Sequence, residues 1–232
     1  MPLMDEFKEE REKIKKAPLK AKWKYFVDYY LKWVIGGAIV IGILIAVIVT
    51  TVTHKKEMLY VSLLNFRTIG LVEQDIEIPF SEEHLENTKK QEITLDSTLF
   101  VLGKRAEDAA ASGDQTYSAL YNYEDEQKIS MILVVGQVDL MISGEDVIDR
   151  YTESDFLKPL TDVYSAAELK SFEEKGMIKS ANGVPVAICM DGSKMLKEYY
   201  EYTADKNDKL YAAYTYGEHT ALAKEFVDFL GY

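Results

Sequence analysis

Trp33–Val52 reads WVIGGAIVIGILIAVIVTTV, twenty residues without a charge. A helix of that length rises about 30 Å, the thickness of a bilayer's hydrocarbon core. The stretch has no polar face. Its only polar side chains, Thr50 and Thr51, sit at the end where polarity returns. We therefore expect a transmembrane helix over residues 33–53. The run is longer than the apolar core of a signal peptide, about 7–15 residues. It ends in TTVTHKK, with no small-residue cleavage pattern and no neighbouring cysteine for lipid attachment. An uncleaved signal anchor is the expectation.

Charge divides around this stretch. Residues 1–32 carry nine Lys/Arg against six acids, a net +3, whereas the remainder carries 18 against 33, a net −15. Basic flanks are retained in the cytoplasm during insertion. The amino terminus is expected inside and residues 57–232 outside, at the cell membrane. His54, Lys55 and Lys56 oppose that orientation, and nine upstream basic residues outweigh them. The acidic outer portion disfavours nucleic acid as a partner, because phosphates call for a basic surface. Cys189 is the only cysteine, so no intramolecular disulfide is available. That suits a bacterial exterior better than a eukaryotic extracellular module.

Upstream, residues 1–32 read as a cytoplasmic basic and aromatic helical segment. DEFKEEREKIKK (residues 5–16) places acids early and lysines late, with Glu9–Lys13 and Glu12–Lys16 at helical spacing. Pro18 separates it from KAKWKYFVDYYLKW. There Trp23, Phe26, Tyr30 and Trp33 share one helical side, as membrane-interface anchors do, with membrane lipid as their partner. Ala38, Gly42 and Ala46 recur every four residues within the span. Such a small-residue face lets two helices approach closely and suits a homodimer.

Downstream, residues 57–232 are enough for one domain with its own core. MLYVSLLN (58–65), IEIPF, QEITL, STLFVL, QVDLMI (137–142) and KLYAAYT (209–215) read as extended. SEEHLENTKK (81–90), the stretch from residue 116 to Gly136, SGEDVIDRYT with Ser143 as N-cap, AAELKSFEEKG closing at Gly176, DGSKMLKEYYEYT and the closing HTALAKEFVDFLGY read as helices. AEDAAASGD (106–114) reads as a helix end and loop. Leu222, Phe226, Phe229 and Leu230 form the inward side of the last helix. Asn182-Gly183 predicts a tight hairpin turn. Strands alternating with helices mean an α/β or mixed domain.

Within residues 116–232, Gly136 and Asp139 mark a helix running into a strand. Leu157, Pro159 and Leu160 follow, then Gly183 and Pro185, then Ala223, Phe226, Phe229 and Leu230 in a late helix. This order resembles the extracytoplasmic solute-binding proteins of bacterial ABC importers, over about half of the chain. The resemblance implies a single binding-protein-like α/β lobe, outside the membrane, facing a small solute or a protein of the envelope.

No H-E-x-x-H, G-x-S-x-G, Walker loop or G-x-G-x-x-G occurs. His54, His84 and His219 are far apart, and no Cys/His metal spacing is present. Glu82, Glu83, His84 and Glu86 read as an exposed polar helix, and Asp139 as facing the solvated side of its strand. We expect no catalysis, cofactor or metal. Ligands of open α/β sheets bind beyond the carboxyl ends of the strands. The candidate ligand-binding residues are accordingly Asn65, Arg67, Ser143, Gly144, Asp191 and Ser193, with Tyr151. Tyr199, Tyr200, Tyr202, Tyr211, Tyr214 and Tyr216 suit either a binding surface or a core edge. The expected function is a non-catalytic binding or interaction domain on a single-pass anchor. The alternative is a structural accessory subunit of an envelope complex with no small ligand.

Overall fold

A computed structural model describes residues 18–66, 72–111, 123–199 and 209–232. The chain forms two compact units that divide between His54 and Lys55. The charged segment 5–16 lies outside the described residues.

The first unit holds α1 (Leu19–Tyr29) and α2 (Leu31–Thr53). Pro18, in extended conformation, precedes α1, where its missing N–H costs no helical bond. Leu31–Thr51 is one helix long and apolar enough to cross a membrane. Thr50 and Thr51 donate to the carbonyls of Ala46 and Val47, both at 2.8 Å. Their hydroxyls are thus satisfied within the helix, as an apolar medium requires. Trp23, Phe26 and Tyr30 stack in succession, with centroids 5.7 and 6.3 Å apart. Trp33 is exposed, as are Ala38, Gly42 and Ala46.

The second unit is mixed α/β. Its strands are β1 (Lys56–Leu63), β2 (Gln91–Asp96), β3 (Leu140–Gly144), β4 (Ile178–Ala181), β5 (Val184–Cys189) and β6 (Leu210–Tyr214). Among the described residues they form one six-stranded sheet in the order β2-β1-β3-β6-β5-β4. β1 runs parallel to β2 and β3, and the other pairings are antiparallel. The helices are α3 (Ile78–His84), α4 (Lys104–Ala111), α5 (Tyr123–Val134), α6 (Glu145–Thr152), α7 (Ala166–Glu174), α8 (Lys194–Tyr199) and α9 (Thr220–Leu230).

Both faces of the sheet are covered. Leu59, Val61 and Leu63 turn one way, onto Phe80 of α3, Phe172 of α7, Leu196 of α8 and Phe226 of α9. Tyr60 and Leu64 turn the other way, onto Ile129 of α5 and Val147 and Ile148 of α6. A sheet buried on both sides needs continuous apolar runs rather than alternation. LYAAY in β6, buried throughout, is such a run.

Several elements differ from expectation. IEIPF is not extended. A single π-turn (Glu73–Glu77) leads into α3, with Pro79 in its first turn. Ile76 and Phe80, four residues apart, then bury on one side. STLFVL forms no strand, and residues 97–103 cross the domain without a ladder partner. Ser143 is not the N-cap of α6; it lies inside β3, and Gly144 takes the cap position. In α9 the buried residues are Ala223, Phe226, Val227 and Leu230, while Leu222 and Phe229 pack at the core's edge.

Candidate functional site

The strands that follow β1 in the chain, β2 and β3, lie on opposite sides of it. In open sheets this reversal opens a crevice at the carboxyl ends of β1 and β3. Asn65 and Ser143 stand there. Both are buried, and the chain itself fills the space.

Residues 98–105 form the filling. Residues 98–103 are extended without a sheet partner and Lys104 and Arg105 open α4, so their amides need other acceptors. Side chains supply them in sequence. Asp96 accepts from the Thr98 amide at 2.9 Å, and Asp125 from Phe100 at 3.0 Å. Asn65 accepts from the Val101 amide at 2.8 Å and donates to the Val101 carbonyl at 3.0 Å. Glu126 accepts from the Leu102 amide at 2.9 Å, and Asp146 from Arg105 at 2.8 Å. The Arg150 guanidinium holds both Glu126 oxygens at 2.7 Å and donates to the Leu102 carbonyl at 3.1 Å. Burial alone would lower the Arg150 pKa, but Glu126 outweighs it and the guanidinium is raised further. Asn65 adopts a left-handed φ of 63°. Asparagine tolerates that region better than most residues. There its own N–H reaches the Leu99 carbonyl at 3.0 Å.

The other candidate residues are likewise engaged by the chain's own backbone. The Ser143 hydroxyl donates to the Leu64 carbonyl at 3.0 Å. Asp191 accepts from the Leu210 amide at 3.0 Å. Ser193 donates to the Leu230 carbonyl at 2.8 Å and accepts from the Leu196 amide at 3.3 Å. Tyr151, in the last turn of α6, is buried, and burial raises its phenol pKa. Arg67 lies outside the described residues, as do Tyr200 and Tyr202.

A groove of about 380 Å³ runs between α4 and α6, lined by Lys104, Arg105, Glu145, Asp146, Asp149 and Glu153 among others. Its charges are already paired. Lys179 bridges Glu145 at 3.0 Å and Asp149 at 2.7 Å, and Lys104 bridges Asp108 at 3.1 Å and Glu153 at 3.2 Å.

Comparison with family models, curated proteins and solved structures finds no match. The chemistry of the site therefore rests on the residues alone. Among the described residues, no three His, Cys, Asp or Glu converge to hold a metal ion. His84 instead stacks on Phe80 and meets Glu225 at 3.0 Å. Burial raises the Cys189 pKa and keeps it a thiol.

Asp139 corrects the sequence reading. It does not face solvent but is 2% exposed. Its carboxylate accepts from the Tyr60 amide at 2.9 Å and from the His219 amide at 2.7 Å. It ties β1 to the start of α9, and those two backbone donors offset the cost of burying a charge. Sequence reasoning also missed Glu126 and Asp146. A single signal pointed to them: acids on helices whose apolar residues face the core.

Proposed function

We propose that this chain is a single-pass membrane protein, amino terminus inside. Its extracytoplasmic domain resembles a solute-binding lobe, works by protein contact, carries out no chemistry and takes no small solute at its strand ends. One observation carries this reading. Asn65, Glu126, Asp146 and Arg150 spend their polar groups on the chain's own segment 98–105. A solute at that place would have to displace about five hydrogen bonds, each worth about 1 kcal/mol or more.

A second observation supports a protein partner over a solute. Met131, Val134 and Val135, at helical spacing on and just after α5, are each more than 60% exposed. The Tyr216 carbonyl lies beside Gly136, next in the chain, and the Tyr216 ring is more than half exposed. Apolar surface gathered in one place marks contact sites more often than chance. An apolar face of a neighbouring envelope protein suits it.

The test uses the full chain in nanodiscs. A solute at 100 times its dissociation constant adds about 2.7 kcal/mol of stability, raising Tm by about 5–10 °C. Amino acids, sugars and peptides are expected to leave Tm unchanged. A photo-crosslinking residue at position 131 is expected to capture a protein in intact cells, and one at position 170 to capture none. A clear Tm rise with one solute class would overturn the filled-crevice reading.

A further inference from the structure

Four lysines meet at one corner of the sheet. Lys56 opens β1 and pairs with Gln91, the first residue of β2. The Lys56 amide donates to the Lys90 carbonyl at 2.8 Å, which locks the two chain segments together. The turn before β2 is itself fixed. The Asn87 side chain accepts from the Lys89 amide at 3.1 Å, and its carbonyl accepts from the amides of Lys90 and Gln91, both at 2.9 Å. Lys55 is half-exposed, and Lys56, Lys89 and Lys90 are exposed. Among the described residues none of the four ammonium groups pairs with a carboxylate. The nearest acids in register are Glu57 and Glu92, a cross-strand pair, and Glu57, next to Lys56 on β1, points to the opposite face from it. Glu57 is engaged by the Thr94 hydroxyl at 2.8 Å.

This is an unusual place for four free lysines, since the chain from residue 33 onward carries a net −15. It is also where the domain begins. His54 and Lys55 alone separate α2 from β1, and the three peptide steps from Thr53 to Lys56 reach at most about 11 Å. We infer that Lys55, Lys56, Lys89 and Lys90 form a contact surface for anionic phospholipid headgroups. The inference rests on the membrane-anchor reading. The turn 87–90 presents two lysines, the start of β1 presents two more, and the short tether keeps them near a headgroup layer. Lysine is suited to this role, because its ammonium satisfies a phosphate as a point charge and its stem lies along the interface. The acidic remainder of the domain would be repelled by the same surface, so the lysine corner also sets which end turns toward it.

The experiment reconstitutes the full chain in vesicles of phosphatidylcholine alone or mixed with phosphatidylglycerol. A membrane-impermeant acylating reagent is added, and each lysine is read by mass spectrometry. In the anionic vesicles, acylation of Lys56, Lys89 and Lys90 is expected to slow about fivefold, and high salt is expected to restore it. Lys175, exposed at the opposite end of the sheet near the start of β4, is expected to react equally in both. In the K89E/K90E variant the protection of Lys56 is expected to disappear. Equal acylation of the lysine corner in both lipids, or protection of Lys56 that survives K89E/K90E, overturns the inference and leaves the anchor reading standing. Release of the protein from vesicles by alkaline carbonate overturns both.

Discussion

An added Cβ at Gly103 would overlap the Asp146 carboxylate, so this glycine is set by close approach. The segment 98–105 can lie against α6 only because residue 103 has no side chain. Gly103→Ala is expected to destabilise the domain by about 2 kcal/mol, read as a lower urea midpoint, with overpacking as the cause. Asp96 governs the pH response of the same segment. Burial pushes its carboxyl up, but hydrogen bonds from Thr98, Tyr60 and Lys128 outweigh that and hold it at about 2. A depressed acid adds stability above its unfolded pKa of about 3.9 and loses it as pH falls through the folded value. The urea midpoint is therefore expected to fall between pH 4 and about 2. Asp96→Asn is expected to flatten that fall relative to the parent. Little of this was legible beforehand. In sequence, Asp96, Asp125, Glu126 and Asp146 are ordinary acids, and only a segment without a ladder partner gives them amides to accept from.

At the scale of elements, local rules held where local chemistry decides the outcome. Asn182-Gly183 forms the expected turn between β4 and β5, with positive φ at both residues, as a two-residue hairpin requires. Ser165 caps α7 in a reciprocal box with Glu168. Lys224 of α9 then reaches Glu168 at 2.7 Å. With Lys224 as the main cause and Ser165 adding to it, the Glu168 carboxyl is held down to about 2. Ser165→Ala is expected to cost about 1 kcal/mol of domain stability by denaturant titration, and Ser165→Asp to recover most of it. Local rules failed for IEIPF and STLFVL. Both are short apolar runs whose periodicity fits a strand or a buried helix end equally well. Pro79 and the four-residue spacing of Ile76 and Phe80 favoured a helix once α9 offered a surface to bury them. STLFVL stayed extended but found no neighbouring strand, because β1 already had β2 on one side and β3 on the other.

For the whole molecule, orientation is the open consequence. With Cys189 buried, a Cys189→Ala background leaves one introduced thiol as the reporter. Lys170→Cys, on an exposed stretch of α7, is expected to react with an impermeant maleimide in intact cells if the domain is outside. Labelling only after cell lysis would reverse the proposed topology. The amino-acid sequence by itself determined the long apolar helix, the division of charge about it, the mixed α/β class and the hairpin. Each of these depends on composition, length or residues adjacent in the chain. Tertiary structure decided the strand order, the closing of the crevice at Asn65 and Ser143, the burial of Asp139 and the gathering of lysines 55, 56, 89 and 90. Each of those joins residues some thirty to eighty positions apart. No local preference encodes such a meeting; the sheet register imposes it.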